Sequence, residues 1–177
     1  MRVITALAAV ALCLGACSPG MLDGGSGTAT AKTSDKAPET AIHPVSGLPV
    51  IDLAVESGGK KHVFRVEVAS TAQEQARGLM FRTEMGADEG MIFPQDRPRH
   101  AAFWMKNTVI PLDIIYIGTN GRVLNIVKAL PYDLTPLPSE GLASGVLELN
   151  GGRAAELGIQ AGDKVHWVVT KGKNAGS

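Results

Sequence analysis

The segment Leu112-Asp113-Ile114-Ile115-Tyr116-Ile117 limits the fold more than any other stretch of this chain. Successive side chains of a strand point to opposite faces. Here Leu112, Ile114 and Tyr116 on one face and Ile115 and Ile117 on the other are all apolar. Such a strand must be covered on both sides, so it belongs at the centre of a sheet or in a barrel wall rather than at an edge. Asp113 is the exception within it, because a carboxylate in an apolar strand is costly unless a partner meets it.

The flanking sequence supplies neighbours for this strand. Apolar alternation over residues 50–55, the turn Ser57-Gly58-Gly59-Lys60, and Val63, Phe64, Val66 and Val68 read as a hairpin. Thr71-Ala72-Gln73-Glu74 has the pattern of a capping box opening a short helix, and Gly78 is placed to end it. Met91-Ile92-Phe93, closed by Pro94, and residues 101–105 read as two more strands. Asn120-Gly121 turns the central strand back over residues 122–129. Pro131, Pro136 and Pro138 mark a long loop, residues 146–149 a strand, residues 152–157 a short helix stopped by Gly158, and residues 164–170 a last strand. Short strands joined mostly as hairpins, with two short helices, define an α+β class that is mainly antiparallel, with a small partly closed barrel as one form of it. One globular domain is expected over residues 48–171, followed by a disordered tail at residues 172–177.

Ahead of this domain, Arg2 is followed by an uncharged apolar run over residues 3–16, the layout of a signal peptide. The run falls short of the roughly 20 apolar residues that span a bilayer. Leu14-Gly15-Ala16-Cys17 resembles a lipobox, the processing site of bacterial lipoproteins. The resemblance implies a signal peptide at residues 1–16, acylation of Cys17, and a membrane partner held through that residue. Ser18 stands where an Asp would signal inner-membrane retention, which leans toward the outer membrane. Residues 17–47, rich in Gly, Ser and Thr and lacking apolar periodicity, read as a disordered tether. The domain would then sit in the cell envelope, in the periplasm or facing outward. Cys13 leaves with the leader and Cys17 is acylated, so no thiol remains for a disulfide, a nucleophile or a metal. The chain carries 17 basic and 17 acidic residues, and Arg2 is the one charge ahead of Cys17. The processed protein is therefore nearly neutral, which argues against a nucleic-acid partner.

Four segments mix bulky apolar residues with isolated charges: Gly78-Leu79-Met80-Phe81-Arg82; Gly90-Met91-Ile92-Phe93-Pro94; Phe103-Trp104-Met105-Lys106-Asn107-Thr108 continuing into Ile110-Pro111-Leu112-Asp113; and Val146-Leu147-Glu148-Leu149 with Gly162-Asp163-Lys164-Val165. In that order and spacing they resemble the bacterial and archaeal family called domain of unknown function 192. The Trp-Met-Lys-Asn-Thr run followed by Pro-Leu-Asp is the most specific part, and the resemblance spans nearly all of the folded region. It implies a fold family and no established reaction.

The candidate site residues are therefore read from their chemistry. Asp113 and Glu148 both sit among apolar neighbours and need partners, and Arg82 and Lys106 are candidates. One reading is that these charges pair only with each other. The other is a cleft in which Arg82, Lys106 and Asn107 meet an anionic or carbonyl group, Asp113 and Glu148 contribute carboxyls, and Trp104 offers a stacking face. Met80, Met91 and Met105 fit core packing better than a soft-metal site. His43, His62, His100 and His166 share no ligand spacing, so neither a metal nor a cofactor is expected.

Three functions fit this set. A membrane-anchored envelope lipoprotein could bind a small polar ligand or an envelope protein, a reading favoured by the absence of a Ser/His/Asp or Cys/His set and of a phosphate-binding loop. A hydrolase could use Asp113 and Glu148 as an acid/base pair on a cell-envelope glycan, with the carboxyls about 5–10 Å apart across an open cleft. A structural envelope protein would act through an exposed apolar patch. The lipid anchor has a direct test. Radiolabelled palmitate fed to expressing bacteria is expected to mark the wild type and not Cys17→Ser, and equal labelling of both would refute it.

Overall fold

The structure is a computed structural model that describes residues 41–168; the leader, Cys17 and most of the expected tether and tail lie outside the described residues. The chain order is β1 (Ala41–Ile42), β2 (Pro49–Ser57), β3 (Lys60–Val68), α1 (Ala72–Arg77), β4 (Glu89–Arg99), β5 (Ala102–Phe103), β6 (Leu112–Gly118), β7 (Val123–Ala129), β8 (Leu137–Pro138), β9 (Ala143–Asn150), α2 (Arg153–Leu157) and β10 (Lys164–Trp167). The main sheet runs β1-β2-β3-β4-β9-β6-β7, with β10 also on β2. Every pairing is antiparallel except β3 with β4, whose connection passes through α1.

Strand β6 is buried along its whole length between β7 and β9. Its two faces serve two cores. Ile115 and Ile117 join Leu53, Phe64, Val66, Ile92, Leu147 and α2 on one side. Leu112, Ile114 and Tyr116 join Met91, Phe93, Met105 and Val146 on the other. The sheet does not close into a barrel. Strand β10 pairs fully with β2 but meets the start of β7 only through the bridge Arg122↔Lys164 and neighbouring backbone bonds.

Local chemistry explains the turns. Gly58 and Gly59 both have positive φ, 55° and 75°, as a two-residue hairpin turn requires. The capping box of α1 is present: the Thr71 hydroxyl accepts from the Glu74 amide, and the Glu74 carboxylate accepts from the Thr71 amide. Those amide bonds hold the Glu74 carboxyl below its ordinary pKa against the opposing effect of burial.

Three expectations need correction. The strand at Met91–Phe93 does not stop at Pro94 but continues to Arg99, with its ladder to β9 irregular beyond Pro94, where a residue without an N–H is tolerated. The strand expected over residues 101–105 shrinks to Ala102–Phe103 on β8. The Met105 amide donates to the Asp133 carbonyl and Asn107 turns left-handed, which takes the chain off any ladder. Ordered chain also begins before Leu48, since β1 pairs with β2 and His43 sits against Glu67. The His43 Nδ1 atom lies 3.6 Å from the Glu67 carboxylate but also accepts from the Val45 and Ser46 amides. The amide bonds describe it better, because a nitrogen that accepts carries no proton for an ion pair.

The charges inside the domain have different partners from those expected. Asp113 meets neither Arg82 nor Lys106. Its Oδ2 accepts from the Ala154 amide at 2.8 Å, while Oδ1 is buried without a partner. Gly152, at the N-cap of α2, has no side chain to cap with, so Asp113 reaches across from β6 to do it. Arg82 instead forks onto Glu67, with Nη1–Oε1 at 2.8 Å and Nη2–Oε2 at 3.1 Å, the Glu67 side chain being buried and that of Arg82 nearly so. Arg82→Ala leaves Glu67 buried without a counter-charge and is expected to cost about 3–5 kcal/mol. Asp113→Ala removes a cap and is expected to cost about 1–2 kcal/mol. Urea denaturation midpoints measure both, and a larger loss for Asp113→Ala would overturn this assignment.

Candidate functional site

Cross-strand register decides which carboxylates share a face. Asp113 stands opposite Leu149, and Glu148 stands opposite Ile114. Asp113 therefore belongs to the face of Ile115 and Leu149, and Glu148 to the face of Ile114, Tyr116 and Val146. The sheet separates the two groups. The pair proposed for glycan hydrolysis does not exist, because strand alternation places neighbouring odd and even positions on opposite sides.

Glu148 lies on the floor of a cleft of about 330 Å³. Helix α1 contributes Gln75 and Arg77, the turn after it Gly78 and Met80, β4 contributes Phe93 and Arg99, and β5 with its following loop contributes Phe103, Trp104, Lys106 and Thr108. Gly78 makes the sharp exit from α1 possible. Its φ is 47°, and a Cβ there would lie 3.3 Å from the Phe93 ring. Phe103 packs edge-on against Phe93 at 5.0 Å and against Tyr116 at 6.2 Å, which fixes the inner wall. The Gln75 amide is committed to the Ala69 and Pro94 carbonyls.

The Glu148 side chain is nearly inaccessible, with the residue 5% exposed. Burial alone pushes its carboxyl up to about 8, with no opposing hydrogen bond or ion pair from the described residues. The same burial, with the nearby Glu148 charge second, raises the Tyr116 phenol above its ordinary value. The Tyr116 hydroxyl donates to the Leu137 carbonyl. At the mouth, Trp104 is 52% exposed and the Lys106 ammonium stands 5.3 Å from its ring centroid, a cation–π contact. Met105 between them is buried in the core.

The loops at this mouth hold unusual backbone. Phe81, Asn107 and Tyr132 are non-glycine residues at φ of 64°, 55° and 63°. Left-handed aromatics are uncommon and store roughly 1–3 kcal/mol each. Three backbone bonds hold them: the Phe81 amide donates to the Asn107 carbonyl, Tyr132 to Thr108, and Met105 to Asp133. Residues 78–82, 104–108 and 130–135 thus form one connected rim, from which Phe81, Trp104, Leu130, Tyr132 and Leu134 are exposed.

The expected site residues divide accordingly. Trp104, Lys106 and Glu148 come together in this cleft. Arg82 lines a larger cavity of about 950 Å³ on the other side of the 78–82 turn. That cavity is bigger, but three of its charges already have partners: Arg82 on Glu67, Glu74 on the α1 cap, Glu89 on the Gly86 amide. Asn107 lines neither cavity; its backbone shapes the rim, and its side-chain amide lies 3.8 Å from the Met80 sulfur. Sequence reasoning missed Arg77 and Arg99. Arg77 reads as an ordinary basic residue in the last turn of a helix, and Arg99 sits in the polar run Gln95-Asp96-Arg97-Pro98-Arg99, which has the composition of a loop. Among the described residues no three His, Cys, Asp or Glu side chains are placed to share a metal ion.

Comparison with known proteins agrees with this architecture. The chain is 57% identical to a structure of a protein of unknown function from Novosphingobium aromaticivorans DSM 12444, with a TM-score of 0.71 over 77% of this chain and 98% of that one. It is 32% identical to a Sinorhizobium meliloti 1021 protein suggested to be a transcription regulator, with a TM-score of 0.65 over 67% of this chain and 94% of that one. No curated protein matches it. Residues 53–167 match the family described as Uncharacterized ACR, domain of unknown function 192. The match covers most of the chain, from β2 to the end of β10, and the chain belongs to that family.

Proposed function

We propose that this chain is a lipid-anchored protein of the cell envelope whose domain binds a small ligand in the Glu148 cleft. The observation that carries the reading is Glu148 itself. It is a buried carboxyl with no protein partner among the described residues, opening into a cleft walled by Phe93 and Phe103. Arg82 with Glu67 and Asp113 with α2 each meet a protein partner, although the Asp113 Oδ1 atom has none. A buried carboxyl without a protein partner costs stability, and Glu148 lines a cleft where a ligand can meet it. The anchor rests on the lipobox-like run ending at Cys17. The role suggested for the Sinorhizobium protein is not carried over, since this chain is nearly neutral and lacks the net positive charge usual for nucleic-acid binding.

A second reading, contact with an envelope protein, is favoured by the exposed apolar side chains of the rim. Phe81, Leu130 and Tyr132 are each more than 60% exposed. Phe81→Ser together with Tyr132→Ser would abolish such a contact and leave the cleft intact.

Acetamide provides a neutral probe of the first reading. Titrated into the 15N-labelled protein, it is expected to shift the amides of Gly78, Phe103, Trp104 and Thr108, and shifts scattered over the whole surface would sink the assignment.

The cost of Glu148 is also measurable. Its pKa is raised on folding, so its contribution to stability is complete below the unfolded value near 4.5 and is lost as pH rises toward about 8. Over that window stability should fall by up to about 1.4 kcal/mol per pH unit. Glu148→Met should remove this slope and, at pH 8, raise stability by roughly 1–3 kcal/mol. Melting curves of both proteins from pH 5 to 8 measure the difference. A variant less stable than wild type at pH 8 would make Glu148 a structural group.

A further inference from the structure

We propose that the cleft selects a small organic anion that carries a carbonyl group beside its negative charge, the carboxylate held by Arg99 and Lys106 and the carbonyl by the Glu148 carboxyl. The inference rests on the ligand-binding reading of the cleft and names the class of ligand.

Charge is the first argument. The cleft is lined by Arg77, Arg99 and Lys106, with Glu148 as the single acid, so its field favours an anion and disfavours an amine. Arg99 donates from Nε to the Gln95 side chain, which orients the guanidinium and leaves its two terminal nitrogens for a planar carboxylate. Lys106 leans over Trp104, within reach of a group stacked on that ring.

Hydrogen bonding is the second. The titratable groups around Glu148 are Arg77 from α1, Arg99 from β4, Lys106 from the loop after β5, and Tyr116 from β6. The Tyr116 hydroxyl is committed to the Leu137 carbonyl, and no described group donates to Glu148. A carboxyl in that setting is neutral at pH 7 and has one O–H to donate. The carboxyl lines the cleft, where a ligand's carbonyl oxygen can accept from it. Phe93 and Phe103 form the inner wall of this space and Trp104 stands at its mouth. A volume of about 330 Å³ limits the ligand to a small molecule or the end of a longer one.

N-acetylglycine and its uncharged amide, N-acetylglycinamide, test this directly. Binding is read from the indole N–H signal of Trp104 in the whole protein, assigned with Trp167→Phe. N-acetylglycine should bind at least tenfold tighter than the amide at pH 6. Arg99→Gln and Lys106→Gln should each erase most of that advantage without changing affinity for the amide. Raising the pH from 6 to 9 should weaken N-acetylglycine about tenfold, and Glu148→Gln, which keeps a donor, should remove the pH dependence. Equal affinity for the two probes in wild type overturns the inference while leaving the cleft a ligand site. Silence from both probes at tens of millimolar overturns the inference and the binding reading together.

Discussion

The pairing of β6 with β9 is the constraint on which the rest of the molecule depends. Both strands are apolar on both faces, so the sheet they form must be covered twice. One cover comes from the curl of β2, β3 and β10 with α2, the other from Leu79 after α1 and the loops around β5 and β8. The polar residues within these strands are then forced to choose a side. Asp113 falls on the side that receives the start of α2 and becomes part of the scaffold. Glu148 falls on the side covered by loops, where the cover is incomplete, and becomes the floor of a cleft. A one-residue slip of β6 alone would turn Asp113 onto the side of Glu148.

Much of the scaffold was legible in the sequence because its signals are local. The two-glycine turn after β2, the capping box of α1, the glycine stop of α2 and the two-faced burial of β6 each depend on residues within a few positions of one another. Trp104 and Glu148 were legible as candidates for a similar reason, since a bulky aromatic next to a lysine and an acid in an apolar strand both stand out without a structure. What failed to show were relations across the fold. Glu67 alternates with Phe64, Val66 and Val68 and reads as a solvent-facing position, yet Arg82 lies over it and buries it. The continuation of β4 past Pro94 depends on where its ladder to β9 breaks, and that brings Arg99 to the cleft. The left-handed turns at Phe81, Asn107 and Tyr132 carry no glycine to announce them, because the loops that hold them are far apart in sequence and meet only in space.

The three buried acids show how one residue type takes three roles according to what reaches it. Glu67 receives a guanidinium and stays a counter-ion. Asp113 receives a backbone amide and completes a helix. Glu148 receives nothing from the described protein, and burial alone acts on its proton.

Strand β2 shares its outer edge between β1 and β10, the first and last strands of the described chain. The consequence is kinetic. The pairing of Leu53 through Glu56 with Lys164 through Trp167 closes a loop of nearly the whole domain, a contact formed late and at high entropic cost. Until residues 164–167 are available, half of the β2 edge presents unpaired N–H and C=O groups beside Leu53 and Val55, a template for pairing with another chain. Synthesis from the N-terminus leaves that edge open until residues 164–167 emerge, long after its other neighbour β3 has been made.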